Sequence, residues 1–106
     1  MKRVILESPY AGDVATNIKY ARACVKDSLS RGESPIASHL LYTQEGILDD
    51  KIPDERMQGI NAGLAWKKVA DLHVFYVDYG ISKGMQYAMD YATKNNIPVE
   101  IRKILQ

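Results

Sequence analysis

Between Val77 and Gly84 the chain runs Val-Asp-Tyr-Gly-Ile-Ser-Lys-Gly, and four of these side chains could do chemistry. Gly80-Ile81-Ser82-Lys83-Gly84 matches G-x-S-x-G, the pattern of a hydrolase nucleophile elbow with Ser82 attacking. That reading fails on chain order. The acid and the histidine should follow the serine, but His39 and His73 both precede it. A phosphate or ribose contact from Ser82 and the N–H groups of Lys83 and Gly84 fits the pattern better. Gly84 lets a ligand approach the backbone, and Gly80 suits a turn with positive φ. Asp78 suits ribose hydroxyls or general acid–base work, with a loop-fixing role as the plain alternative.

A second candidate turn, Ser8-Pro9-Tyr10-Ala11-Gly12 before Asp13, offers a hydroxyl, a flat ring and backbone N–H groups at a helix start. It is neither GxGxxG nor a Walker loop. An ordinary strand-to-helix connection capped by Asp13 is the competing reading. His39 is expected at a strand end as a polar contact or a core histidine, and Arg56 could clamp a carboxylate or phosphate. No His, Cys or carboxylate cluster has metal-ligand spacing, so no metal and no cofactor are expected. His73 falls inside a strand and reads as structural, and Cys24 as a buried, inert thiol.

The elements that must position these residues follow from the apolar pattern. Arg3 to Glu7 suits a buried strand, and Asp13 caps a helix reaching Ser30 with Val14, Ile18, Ala21, Val25 and Ser28/Leu29 on its apolar side. A brief strand over Pro35 to Ser38 leads into a long loop, His39 to Ile52. Pro53 opens a second helix to Val69, with Met57, Ile60 and Leu64 facing inward. A strand over Leu72 to Val77 precedes a third helix from Ser82 or Lys83, which carries Met85, Ala88, Met89 and Ala92 on one face. Pro98 to Ile104 reads as the last strand. The order β-α-β-α-β-α-β predicts a Rossmann-like α/β domain, a mostly parallel sheet of about four strands with helices on both faces. In such sheets ligands bind beyond the carboxyl ends of the strands, here Ser8–Gly12, Ser38–Tyr42 and Asp78–Ser82, which should meet at one cleft.

A chain of 106 residues with 46% apolar and 25% charged residues builds one globular domain, residues 1–106. A formal charge of +1 gives no electrostatic case for duplex nucleic acid or an acidic membrane. No apolar run approaches the ~18 residues of a membrane span, and a single cysteine points to a reducing, cytoplasmic setting. Trp66, Tyr87 and Tyr91 sit at helical spacing and suit core, a stacking surface or a subunit interface. A homo-oligomer is expected, since a small domain gains by burying such faces.

The stretches ILESPYAG (5–12), PIASHLLYTQ (35–44), DERMQGINAGLAW (54–66) and VDYGISKGMQYAMDYA (77–92) resemble the nucleoside 2-deoxyribosyltransferase-like group. The likeness is to its small, mostly phage- and prophage-encoded proteins of unknown function. It implies a domain that handles nucleosides or nucleotides, with a loop aspartate matching Asp78. It also implies a nucleophilic glutamate four residues after the loop glycine. Counting from Gly84, that position is Ala88, so the carboxylate that retaining glycosyl transfer requires is absent there. The expectation is therefore non-catalytic binding, and sequestration in a phage counter-defence setting, of a nucleotide or ADP-ribose-like signal. Ser8, Pro9, Tyr10, Ala11, Gly12, His39, Arg56, Asp78, Ser82, Lys83 and Gly84 form the expected site. The alternatives are a nucleotide N-glycosidase or deoxyribosyltransferase using Asp78 and an acid relocated to Glu7, Asp49 or Asp50, and a structural interaction module.

Overall fold

A computed structural model gives the architecture, and it describes residues 1–105. The order is β1 (Arg3–Glu7), α1 (Val14–Ser30), β2 (Ser34–Ile36), α2 (Ser38–Leu41), α3 (Pro53–Lys67), β3 (Leu72–Tyr76), α4 (Lys83–Lys94) and β4 (Val99–Arg102). All strand pairs are parallel, in the order β2-β1-β3-β4. This is the expected Rossmann-like sheet. Right-handed crossovers put α1 on one face and α3 with α4 on the other.

Alternation along the strands divides the core between those faces. Val4, Leu6, Val74 and Tyr76 pack with Tyr20 and Cys24 of α1, while Phe75 packs with Met85 and Ala88 of α4. β3 is central and buried at all five positions, which is why it reads as an unbroken apolar run apart from His73. Burial pushes the His73 ring down to about 3, helped by the charge of nearby Lys67, so the ring is neutral. Cys24 is fully buried, and desolvation pushes its thiol up to about 12.

Three local expectations need correction. The buried side of α1 is Asn17, Tyr20, Ala21, Cys24 and Ser28, rotated from the apolar stripe predicted, and Leu29 is exposed. Polar anchors set that rotation. The Asn17 amide donates to the carbonyls of Tyr10 and Ala11, and the Tyr20 hydroxyl donates to Asp78. In α3 Met57 faces solvent, and the inward positions are Gly63 and Lys67. Finally, β2 stops at Ile36 and the following segment turns into α2, so His39 lies on a short helix and not at a strand end. The chain there closes on itself, with the N–H groups of Leu40 and Leu41 both donating to the Ala37 carbonyl.

At the far end of β4, Arg102 is buried beneath the α1 face. Its guanidinium donates to both Glu33 oxygens, at 2.8 and 2.6 Å, and to the Tyr76 hydroxyl at 3.1 Å. Ser28 adds a hydrogen bond to Glu33 at 2.7 Å. Bonding to Arg102 is the main reason the Glu33 carboxyl lies down at about 2, against the opposing effect of burial. The network ties the edge strand to the α1–β2 connection.

Candidate functional site

The carboxyl ends of β1 and β3, together with α2, open onto a cleft of about 410 Å³ between α3 and α4. Its lining brings together Ser8, Tyr10 and Ala11 after β1, His39 and Tyr42 around α2, Arg56 of α3, and Ser82, Lys83 and Gly84 at the start of α4. Three turns that are far apart in sequence thus share one cavity, because parallel strands deliver all their carboxyl ends to the same edge.

The α4 end is built by its cap. Ser82 has extended backbone angles and its hydroxyl accepts from the Met85 N–H at 3.2 Å. Beyond Ser82, the N–H groups of Lys83 and Gly84 have no carbonyl of the helix to bond. A Cβ at Gly84 would meet nothing nearer than the Ser82 hydroxyl at 4.0 Å, so the backbone there is open to approach. Gly80, at φ +86°, turns the chain from β3 into this helix.

On the opposite side, Ser8 Oγ and His39 Nε2 are 2.8 Å apart. Ser8 is buried, and the His39 Nδ1 atom is buried without a partner. Burial lowers the His39 pKa, against a smaller opposite influence from Glu7, so the imidazole is neutral at physiological pH and its Nε2 can either accept from or donate to Ser8. The Thr43 hydroxyl donates to the His39 carbonyl and fixes the last turn of α2.

Among the cleft-wall residues outside the expected set, Glu7 and Lys67 are joined by charge. Glu7, the last residue of β1, lines the cleft and forms an ion pair with Lys67 Nζ at 3.2 Å, with both side chains largely buried. Lys67 also lies 5.9 Å from the centre of the Tyr91 ring. Gly59, Gly63 and Lys67 recur every fourth residue, and this is the α3 face that looks into the cleft. A sequence signal existed in that spacing, glycines and a lysine on one helical stripe, but an apolar template passes over it. Gly63 is there for contact, since a Cβ would lie 2.9 Å from the Ser38 hydroxyl of α2.

The charges in the lining nearly cancel. Glu7 holds Lys67, and Asp50 holds Arg56 at 3.4 Å. Glu55 accepts from the Asp49 N–H. Among the described residues Lys83 is the lining cation with no ion-pair partner.

Three of the expected site residues are placed elsewhere. Pro9 is buried and does not line the cleft. Gly12 borders a shallower neighbouring depression shared with the 43–51 loop. Asp78 is turned away altogether. Its carboxylate accepts from the Tyr20 hydroxyl at 2.5 Å and from the N–H groups of Ile104 and Leu105 at 3.0 and 2.8 Å. Burial acts to raise its pKa, but these bonds outweigh it and lower the value. Asp78 is a clasp between α1 and the segment after β4, which an alternation pattern cannot reveal. Ala88, by contrast, is buried and lines the cleft.

Among the described residues no group of three or more His, Cys, Asp or Glu side chains could hold a metal ion, and no helix is long and apolar enough to cross a membrane. Residues 2–102 match the family described as "Domain of unknown function (DUF7768)", and the chain belongs to that family. A search of curated proteins found no match.

Proposed function

We propose that the cleft binds a nucleotide-like small molecule and holds it without cutting it. The observation that carries this reading is the conjunction, in one cavity, of an open helix start with an unpaired Lys83 and tyrosine walls from Tyr10, Tyr42 and Tyr87. An anionic group suits the first, and a flat base or sugar face suits the second. Ser82, Lys83 and Gly84 take the phosphate, while Ser8, His39 and Arg56 meet the remaining polar groups. Asp78 takes no part in the contacts to the ligand and serves the fold, joining α1 to the segment after β4.

Retention without cleavage is supported by Ala88. It faces the cleft at the position where the nucleoside 2-deoxyribosyltransferase-like enzymes that the chain resembles would carry a glutamate. A methyl group cannot form a bond to an anomeric carbon. A domain that grips a nucleotide and lacks the nucleophile suits sequestration of a signal in the cytoplasm of a phage-infected cell.

One observation favours a second reading. Glu7 lines the same cleft, and Lys67 bonds to one of its carboxylate oxygens, so a relocated acid is at hand for N-glycosidic cleavage. Incubation with a panel of nucleotides and cyclic nucleotides, followed by ultrafiltration and chromatography of the retained fraction, separates the two. The binding account expects an intact nucleotide retained with the protein. Retention of none at millimolar concentration overturns it. Release of free base that stops in Glu7→Gln replaces it with the enzymatic reading.

A further inference from the structure

We propose that β4 is the seam of a two-fold homodimer in which two sheets join edge to edge into one of eight strands. The sheet has two edges, and the sequence treats them differently. β2 is three residues long with Pro35 at its centre, a residue that offers no N–H to a neighbour. β4 has no proline or bulge within Val99–Arg102.

The outward side of β4 is set by its ladder. The His73 N–H donates to the Pro98 carbonyl at 2.8 Å and the Val77 N–H to the Arg102 carbonyl at 3.0 Å. Backbone groups in a strand alternate sides, so those of Pro98, Glu100 and Arg102 serve β3. Those of Val99, Ile101 and Lys103 point away from the sheet. Val99 and Ile101 also leave large apolar side chains in solvent, at 38% and 51% exposure. Ile101 is register partner to Phe75, so it stands at the margin of the Phe75–Met85–Ala88 core.

A second copy fits this edge in one register. A two-fold axis at Ile101 sets Ile101 against its own copy, and Val99 against the copy's Lys103, as hydrogen-bonded pairs. The closer, non-hydrogen-bonded pairs are then Glu100 with the copy's Arg102 and the reciprocal pair. The Arg102 guanidinium stays buried in its own chain's network with Glu33, Tyr76 and Glu100, so on the α1 face this register brings no like charges together. On the other face the two Ile101 side chains bury each other and extend both Phe75 cores across the seam. The outward backbone groups would also permit an axis at Glu100 or at Arg102, but the first sets Glu100 against its own copy and the second sets Ile101 against Lys103, so like-charge avoidance and apolar contact select the axis at Ile101.

Sedimentation velocity across a concentration series, paired with amide hydrogen exchange, tests the seam. Wild type is expected at twice the 11.9 kDa chain mass, with slow exchange at the Ile101 and Lys103 amides. Ile101→Lys puts two ammonium groups on the axis and removes the apolar pair. It is expected to raise the dimer dissociation constant about a hundredfold and to free both amides. The site is solvent-exposed, so the fold survives the change, and circular dichroism checks that. A second variant, Val99→Lys, is expected to weaken the dimer by setting a lysine against the copy's Lys103, away from the Arg102 network. A wild-type monomer at every concentration overturns the proposal. So does a dimer that Ile101→Lys leaves intact, or one in which the Ile101 amide exchanges freely. Nucleotide retention is measured separately, so failure of the seam leaves the cleft reading standing.

Discussion

At the residue scale, Asp78 shows how a side chain of the right type in the right loop can have another occupation. Its carboxylate accepts from the hydroxyl of Tyr20, whose ring centre lies 4.5 Å from that of Tyr79 at a tilt, and from two backbone N–H groups beyond β4. Removing it strands those donors, which costs more than the net value of the bonds they make. Asp78→Ala is therefore expected to lower unfolding free energy by about 2 kcal/mol in urea titration. Its nucleotide affinity per folded molecule should stay close to that of wild type. A selective loss of affinity at unchanged stability would return Asp78 to the ligand. Ser8 and His39 are the opposite case, modest in sequence and brought within 2.8 Å by elements 31 residues apart.

At the element scale, α3 departs furthest from its sequence reading. Its apolar residues have no consistent side, and it turns Gly59, Gly63 and Lys67 inward. The two glycines predict opposite outcomes. A Cβ at Gly63 meets Ser38 Oγ at 2.9 Å and Ser38 Cβ at 3.4 Å, whereas at Gly59 it meets only the end of the Leu48 side chain at 3.4 Å. Gly59→Ala is expected to stabilise by up to about 1 kcal/mol through helix propensity. Gly63→Ala is expected to destabilise by about 1 kcal/mol, since overpacking against α2 exceeds the same propensity gain. Thermal unfolding of both variants checks the contrast, and equal shifts would refute it.

The inner strands were legible as short apolar runs bounded by turn residues, and the α4 face as a single helical stripe of Met85, Ala88 and Ala92. The α1 rotation was not legible, because it depends on Asn17 and Tyr20 reaching partners outside their own helix. Nor was α2, a single turn made by backbone bonds around Ala37. The cleft's turns could be named from topology, but the Glu7–Lys67 pair joins residues 60 positions apart, and no local pattern marks it.

At the scale of the whole molecule, the network around Glu33 and Arg102 couples the β4 edge to the α1 side of the sheet. The Glu33 carboxyl sits at about 2 in the fold against its ordinary 4.5, so the unfolded chain takes up its proton first as pH falls. Stability from this pair is complete above about pH 4.5 and declines as pH falls toward 2. Glu33→Gln leaves the buried guanidinium with only the half-exposed Glu100 as counter-charge and should cost about 3 kcal/mol at pH 7. That deficit relative to wild type is expected to shrink between pH 4.5 and 2, and urea titrations at several pH values read it directly.

The larger claim is that a near-neutral cleft with one unpaired cation holds a nucleotide at the α4 start. Isothermal titration of wild type and Lys83→Glu with a panel of nucleotides tests it most directly. The variant lies on an exposed position with no ion pair to lose, so its fold is unaffected. The account predicts at least one nucleotide binding tighter than about 1 mM, with affinity about tenfold or more weaker in Lys83→Glu. No binding by wild type, or equal binding by both proteins, would contradict it.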